Sequence, residues 1–123
     1  MAKQKISADQ LISVIISGIE DVKGKEINIL DLRDIENTVC DYFIICSGDS
    51  TVQVDGIAKS IPRHTRKEIQ EKQWHDEGTS KEVGGRRVYV RVVVHIFYKT
   101  TREFYNIEGL WADAERTDIP NLD

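Results

Sequence analysis

At 123 residues, 40% of them hydrophobic and 31% charged, the chain has the length and balance of one soluble domain around a single core. Its 17 basic and 21 acidic residues leave a net charge of −4, which disfavours a mainly electrostatic nucleic-acid binder and fits a protein partner, especially a basic one. No apolar run approaches the roughly 20 residues needed to cross a bilayer, and Met1 to Ser7 has no signal-peptide pattern, so a cytoplasmic protein is expected.

Ser7-x-x-Gln10 has capping-box spacing, and Leu11, Ile12, Ile15, Ile16, Ile19 and Val22 then recur at three and four to form one wide apolar stripe. Lys23 and Gly24 close this helix, as a cation and an αL-tolerant residue should. Ile27 to Leu32 is nearly continuous aliphatic sequence and predicts a buried strand ending near Asp31, with polar loop from Arg33 to Thr38. Asp41 to Ser47 predicts a second strand. Ser50-x-x-Gln53 then opens a second helix carrying Val54, Ile57, Ala58, Ile61 and Ile69 on or near one face. Pro62 falls well inside it, where a straight helix loses a hydrogen bond and clashes at a cost of roughly 3 kcal/mol, so a kink or break is expected.

Gln73 to Gly78 reads as a short strand or extended loop, and Gly84-Gly85 as a two-residue hairpin turn leading into a strand from Arg86 to Tyr98. Such a strand is well beyond the usual length of about 5–6 residues, so two strands joined near Tyr89 to Arg91 are the alternative. On the single-strand reading Val88, Val90, Val92, Val94 and Ile96 share one face, and Tyr89, Arg91, Val93, His95 and Phe97 the other. The run Val92 to Phe97 is apolar enough for a central strand covered on both sides. Thr100-x-x-Glu103 follows as a third capping-box spacing and starts a terminal helix with Phe104, Ile107 and Trp111 on one face. From Glu115 the chain is polar and contains Pro120, so residues 115–123 are expected to form a loosely held tail. The order α-β-β-α-β-β-β-α describes a small α/β domain with a mixed sheet flanked by helices.

Chemistry has little support. Gly48-Asp49-Ser50 lies at a strand-to-helix junction of the kind that binds phosphate, but it lacks the lysine and further glycines of the phosphate-binding fingerprints, and a turn with an N-cap accounts for it. Asp31, Asp34 and Asp41 cluster near strand ends, where aspartate is common for reasons of turn formation. Cys40 and Cys46 are too widely spaced for a CxxC motif and read as reduced, packed thiols. His64, His75 and His95 show no metal-ligand spacing, and neither a metal nor a cofactor is expected. Arg63, His64, Arg66 and Lys67 form one basic patch, and Arg86, Arg87 and Arg91 another. Charge runs of this kind are usually solvated faces, though arginine beside Tyr89 or His95 is an interface-type composition.

Asp41 to Gly48, Glu77-Gly78, Val92 to Phe97 and Arg102 to Trp111 together resemble the ribosomal silencing factor family, also called Iojap-like proteins. The resemblance runs in order from about Leu11 to Ala114, and Val-Val-His-x-Phe followed by Arg-x-Phe-Tyr-x-Ile-Glu-x-Leu-Trp is its specific part. It implies a nucleotidyltransferase-like α/β fold over residues 1–114 and a non-enzymatic factor without a cofactor. It further implies binding to a large-subunit ribosomal protein, the one numbered fourteen, so that subunit joining is sterically blocked and translation repressed. Self-association into a homodimer is also implied. Tyr89, His95, Arg102 and Tyr105 are the matching residues expected at the partner surface, with packing or capping the alternative for each. The departure from the family pattern lies at Val83 to Arg91, where Tyr89 is kept while the usual Trp and acidic residues are not. Arginine at three of these positions should weaken attraction to a basic partner, and Gly84-Gly85 should weaken the strand. The rival functions are a large-subunit assembly factor and a nucleotide-binding enzyme of nucleotidyltransferase type.

Overall fold

The computed structural model describes residues 8–35, 41–72, 81–83, 86–88, 92–100, 102 and 113–121. Helix α1 (Ala8–Asp21) leads into strands β1 (Lys25–Asp31) and β2 (Tyr42–Gly48), then helix α2 (Thr51–Lys72). Strands β3 (Lys81–Val83), β4 (Arg86–Val88), β5 (Val92–Tyr98) and β6 (Glu115–Ile119) follow. The six strands form one mixed sheet in the order β3-β4-β5-β2-β1-β6. Among the described residues the parallel pair is β2 with β5, and such a pair needs a long crossover, which begins with α2.

The period of the aliphatic residues decides the layers. Ile15, Ile19, Ile57 and Ile61 bring both helices onto the sheet face formed by Ile27, Ile44, Val92, Val94 and Ile96. The alternate residues Leu30, Leu32, Ile45 and Val93 form a smaller cluster on the other face, joined by Phe43 and Phe97. The expected division of Val92 to Phe97 between two faces therefore holds, and β5 lies inside the sheet as its composition required.

Lys23 and Gly24 end α1 by a Schellman arrangement in which Lys23 N–H donates to Glu20 C=O at 3.0 Å and Gly24 N–H to Ile19 C=O at 2.9 Å. The left-handed position is Lys23, at φ 61°. Gly24 is needed for space instead, because a Cβ there would stand 2.3 Å from Ile19 Cγ2. The capping box of α2 forms as expected, with Gln53 N–H donating to Ser50 Oγ at 3.1 Å. The Gln53 amide does more than close the box. It accepts from Asp49 N–H at 2.6 Å and donates to the carbonyls of Val22 and Lys23 at 3.2 and 2.9 Å, tying the end of one helix to the start of the other.

Three expectations need correction. First, of the kink or break expected at Pro62 the break does not occur, and α2 is one helix from Thr51 to Lys72. Tertiary contact outweighs the local penalty, because Pro62 is buried beside the close crossing of the helices. There Ser60 Oγ donates to Gly18 C=O at 2.7 Å, and a Cβ on Gly18 would lie 3.1 Å from Ile61 Cα. Second, the long strand from Arg86 to Tyr98 is two strands, β4 and β5, paired antiparallel, as the alternative reading had it. The hairpin between β3 and β4 closes across residues 84 and 85, with Val83 opposite Arg86. Third, the polar tail is in part a strand, since β6 pairs antiparallel with β1 along Ile27 to Asp31. Glu115 to Asp118 are exposed and polar, so backbone pairing, the polar contacts described below and the half-buried Ile119 at the end of the strand, packed against the core, hold it. Residues 99, 100 and 102 are helical, placing the start of the terminal helix one residue before the predicted cap. The expected contacts of Phe104, Ile107 and Trp111, the Gln73–Gly78 segment and Cys40 lie outside the described residues.

Candidate functional site

Of the four residues expected at a partner surface, the structure describes His95 and Arg102, while Tyr89 and Tyr105 fall outside the described residues. Both described residues lie inside the protein, His95 at 5% exposure and Arg102 at 6%. His95 projects from β5 onto the sheet face away from α1 and α2. There Phe43 meets its ring edge-on at 4.7 Å, and Phe97 stacks nearly parallel at 6.1 Å.

Arg102 is the centre of a buried polar cluster. β1 contains a bulge, because one extra residue separates Lys25 and Asn28 relative to their partners Ser47 and Ile45. Glu26 adopts φ 51° at this bulge. The turn aims its carbonyl at Arg102, whose Nη1 donates to Glu26 C=O at 2.5 Å and to Ser47 Oγ at 2.7 Å. With the Asn28 amide turned so that its oxygen faces the guanidinium, it accepts from Arg102 Nη2 at 2.5 Å and donates to Asp118 Oδ1 at 2.7 Å. The buried positive charge thus reaches a carboxylate through one amide, and Glu26 Oε2 adds a longer contact at 3.9 Å. Asp118 also accepts from Arg116 Nε at 2.7 Å, and Asn121 Oδ1 accepts from Glu26 N–H at 2.8 Å. One arginine therefore joins the terminal helix, β2, the β1 bulge and β6.

Sequence reasoning identified Arg102 but missed Ser47, Asn28 and Asp118. A signal was present in Asn28, a polar residue inside the aliphatic run from Ile27 to Leu32, where a buried amide needs partners. Asp118 carried none, because the segment around it is polar throughout.

The residues considered for chemistry are engaged in structure. Asp31 takes Arg33 in a two-pronged ion pair, with Nη2 at 2.7 Å from Oδ2 and Nε at 3.0 Å from Oδ1, and the Arg33 side-chain bonds hold the Asp31 carboxyl below its ordinary range. Arg33 also lies 5.3 Å from the centre of the Tyr42 ring, whose pKa burial raises. Asp41 gives its carbonyl to Leu32 N–H at 2.8 Å. The Cys46 thiol is wholly buried, and desolvation pushes its pKa up to about 12, far from a nucleophile's range. Gly48 turns tightly, since a Cβ there would approach Val54 Cγ2 to 2.9 Å, and the helix start beside it is capped by Ser50 and Gln53.

Comparison with known proteins decides the family. The family model described as "Ribosomal silencing factor during starvation" matches residues 5–123. The chain belongs to the ribosomal silencing factor family. It is 33% identical over 114 residues to the ribosomal silencing factor of Bacillus subtilis, covering 89% of this chain and 91% of that one. It is 29% identical over 122 residues to that of Halalkalibacterium halodurans, covering 95% and 98%. Among solved structures, a protein from Chromobacterium violaceum superposes with a TM-score of 0.71 at 27% identity, covering 87% of this chain and 88% of that one. A Bacillus halodurans protein superposes with a TM-score of 0.66 at 26% identity, covering 91% and 98%. The family match extends past β6, in keeping with that strand's place in the sheet. Among the described residues no helix is long and apolar enough to cross a membrane.

Proposed function

We propose that this ribosomal silencing factor binds the large ribosomal subunit through its ribosomal protein numbered fourteen and sterically blocks the small subunit from joining, repressing translation. The observation that carries the reading is the family match over residues 5–123. The chain acts by occupying a surface and performs no chemistry. Its net charge of −4 suits a basic ribosomal protein. Tyr89 and Tyr105 supply contact at the partner surface, while His95 and Arg102, buried as they are, serve it by fixing β5 and the start of the terminal helix from beneath. A homodimer is the form expected free in solution, and light scattering after gel filtration measures it.

The direct test is capture of the purified ribosomal protein by the immobilised chain. Stoichiometric capture, lost on Tyr89→Ala or Tyr105→Ala with the melting temperature retained, is expected. No capture by the folded parent chain refutes the assignment of that partner.

A further inference from the structure

The exposed side of α2 carries one of the two basic patches of this acidic protein. Ile57, Ser60, Ile61 and Thr65 turn inward and are buried. Lys59, Arg63 and Arg66 stand at i, i+4 and i+7 on the outside, three cations along roughly 10 Å of helix at a rise of about 1.5 Å per residue. Together with Gly56 and Pro62 they line an open surface depression of about 390 Å³. Gly56 faces open space, since a Cβ built there meets nothing within 4 Å. Asp55 is the acidic residue of this end, paired with Lys59 at 2.9 Å. Arg63 and Arg66 have no acidic residue three or four positions before or after them in the helix, and Lys67 adds a further exposed cation.

We propose that this face of α2 is a docking surface for the phosphodiester backbone of RNA and, on the silencing reading above, for large-subunit RNA beside the protein contact. The lining decides between occupants. Guanidinium groups take phosphate oxygens in two-pronged bonds. Arginine also anchors protein partners, so charge makes the choice: the charged side chains of this lining, Lys59, Arg63 and Arg66, are all cations and match a polyanion. The overall charge of −4 is no obstacle, since phosphate contacts are local and screened beyond about 8 Å at physiological salt. Such contacts position the factor and read no sequence.

The test is fluorescence anisotropy of a labelled RNA hairpin with the full chain and with the Arg63→Glu/Arg66→Glu variant, whose side chains are exposed. Arg63→Gln/Arg66→Gln serves as a second variant, and melting curves establish that each is folded. The parent is expected to bind at about 50 mM salt with a log–log salt slope of about −2 to −3, from roughly 0.9 per phosphate contact. The charge-reversed variant should bind at least tenfold more weakly. Equal binding by parent and variant, or no binding by the parent, overturns the proposal. So does saturable binding of a polyglutamate peptide at this face without RNA binding, which would make the partner an acidic protein. Capture of the ribosomal protein is run alongside on both chains and should be equal. Its loss in the variant alone would mean that the face docks protein and also overturns the proposal. Its absence from both chains with RNA binding intact would count against the silencing reading and not against this one.

Discussion

Replacing Arg102 with alanine should be among the most damaging single changes in the protein. The substitution leaves Ser47 Oγ and Asn28 Oδ1, at residues 2% and 3% exposed, without their charged donor, and it frees the Glu26 carbonyl as well. An unsatisfied buried polar group costs about 1–3 kcal/mol, and breaking a buried charged arrangement about 3–5 kcal/mol. A loss of about 3–5 kcal/mol is expected, a large part of the roughly 5–15 kcal/mol of a typical domain. Arg102→Lys keeps the charge but cannot present a planar fork to three acceptors, so it should fall between the parent and Arg102→Ala. Urea unfolding followed by circular dichroism measures both. Hydrogen exchange adds a local signature, because the relay through Asn28 to Asp118 also secures β6, and amides of Glu115 to Ile119 should exchange faster in Arg102→Ala than the loss of global stability explains. A change within about 0.5 kcal/mol of the parent would refute the reasoning, for it would mean that Arg102 is no hub.

Gly24→Ala forces a Cβ to within 2.3 Å of Ile19 Cγ2 and should destabilise by about 1–3 kcal/mol, whereas Lys23→Gly relieves the left-handed lysine and should stabilise by up to about 1 kcal/mol in the same urea assay. Gln53→Ala removes the tie between the helices and should cost about 1–2 kcal/mol, more than an ordinary surface substitution. The Asp31 carboxyl is held below its ordinary value of 3.8 by Arg33, so its contribution is complete above that value and is lost as pH falls through the lower folded value. Asp31→Asn should therefore narrow the stability gap between neutral and acidic solution by a fraction of a kcal/mol, as befits a pair whose arginine is 60% exposed. In a Cys40→Ser background, Cys46 should react with a thiol reagent at pH 8 only as fast as the protein opens, so labelling that saturates within mixing time in the native state would contradict its burial.

Much of the architecture was legible because it rests on period. The isoleucines of α1 repeat at three and four, and Val92 to Phe97 divides cleanly between two faces. The cap at Ser50 was visible because a capping box is local chemistry. What escaped depended on contacts far apart in sequence. Pro62 looked like a break until α1 was placed against it, and the polar segment at Glu115 looked loose because a strand held by its backbone and by Asn28 and Asn121 shows no apolar alternation. Arg102 is singled out by the resemblance, with packing as the alternative to a surface role, yet its partners are not legible, since the bulge that turns the Glu26 carbonyl toward it comes from a register shift that neither β1 nor β2 displays alone.

Subunit joining is the most direct test of the central claim. Purified large subunits are incubated with the chain, small subunits are added, and the mixture is resolved on a sucrose gradient. The account predicts that the chain migrates with free large subunits and that joined ribosomes fall in proportion to the chain added. Full joining with the chain still bound to the large subunit would contradict steric silencing and make this protein an assembly factor instead.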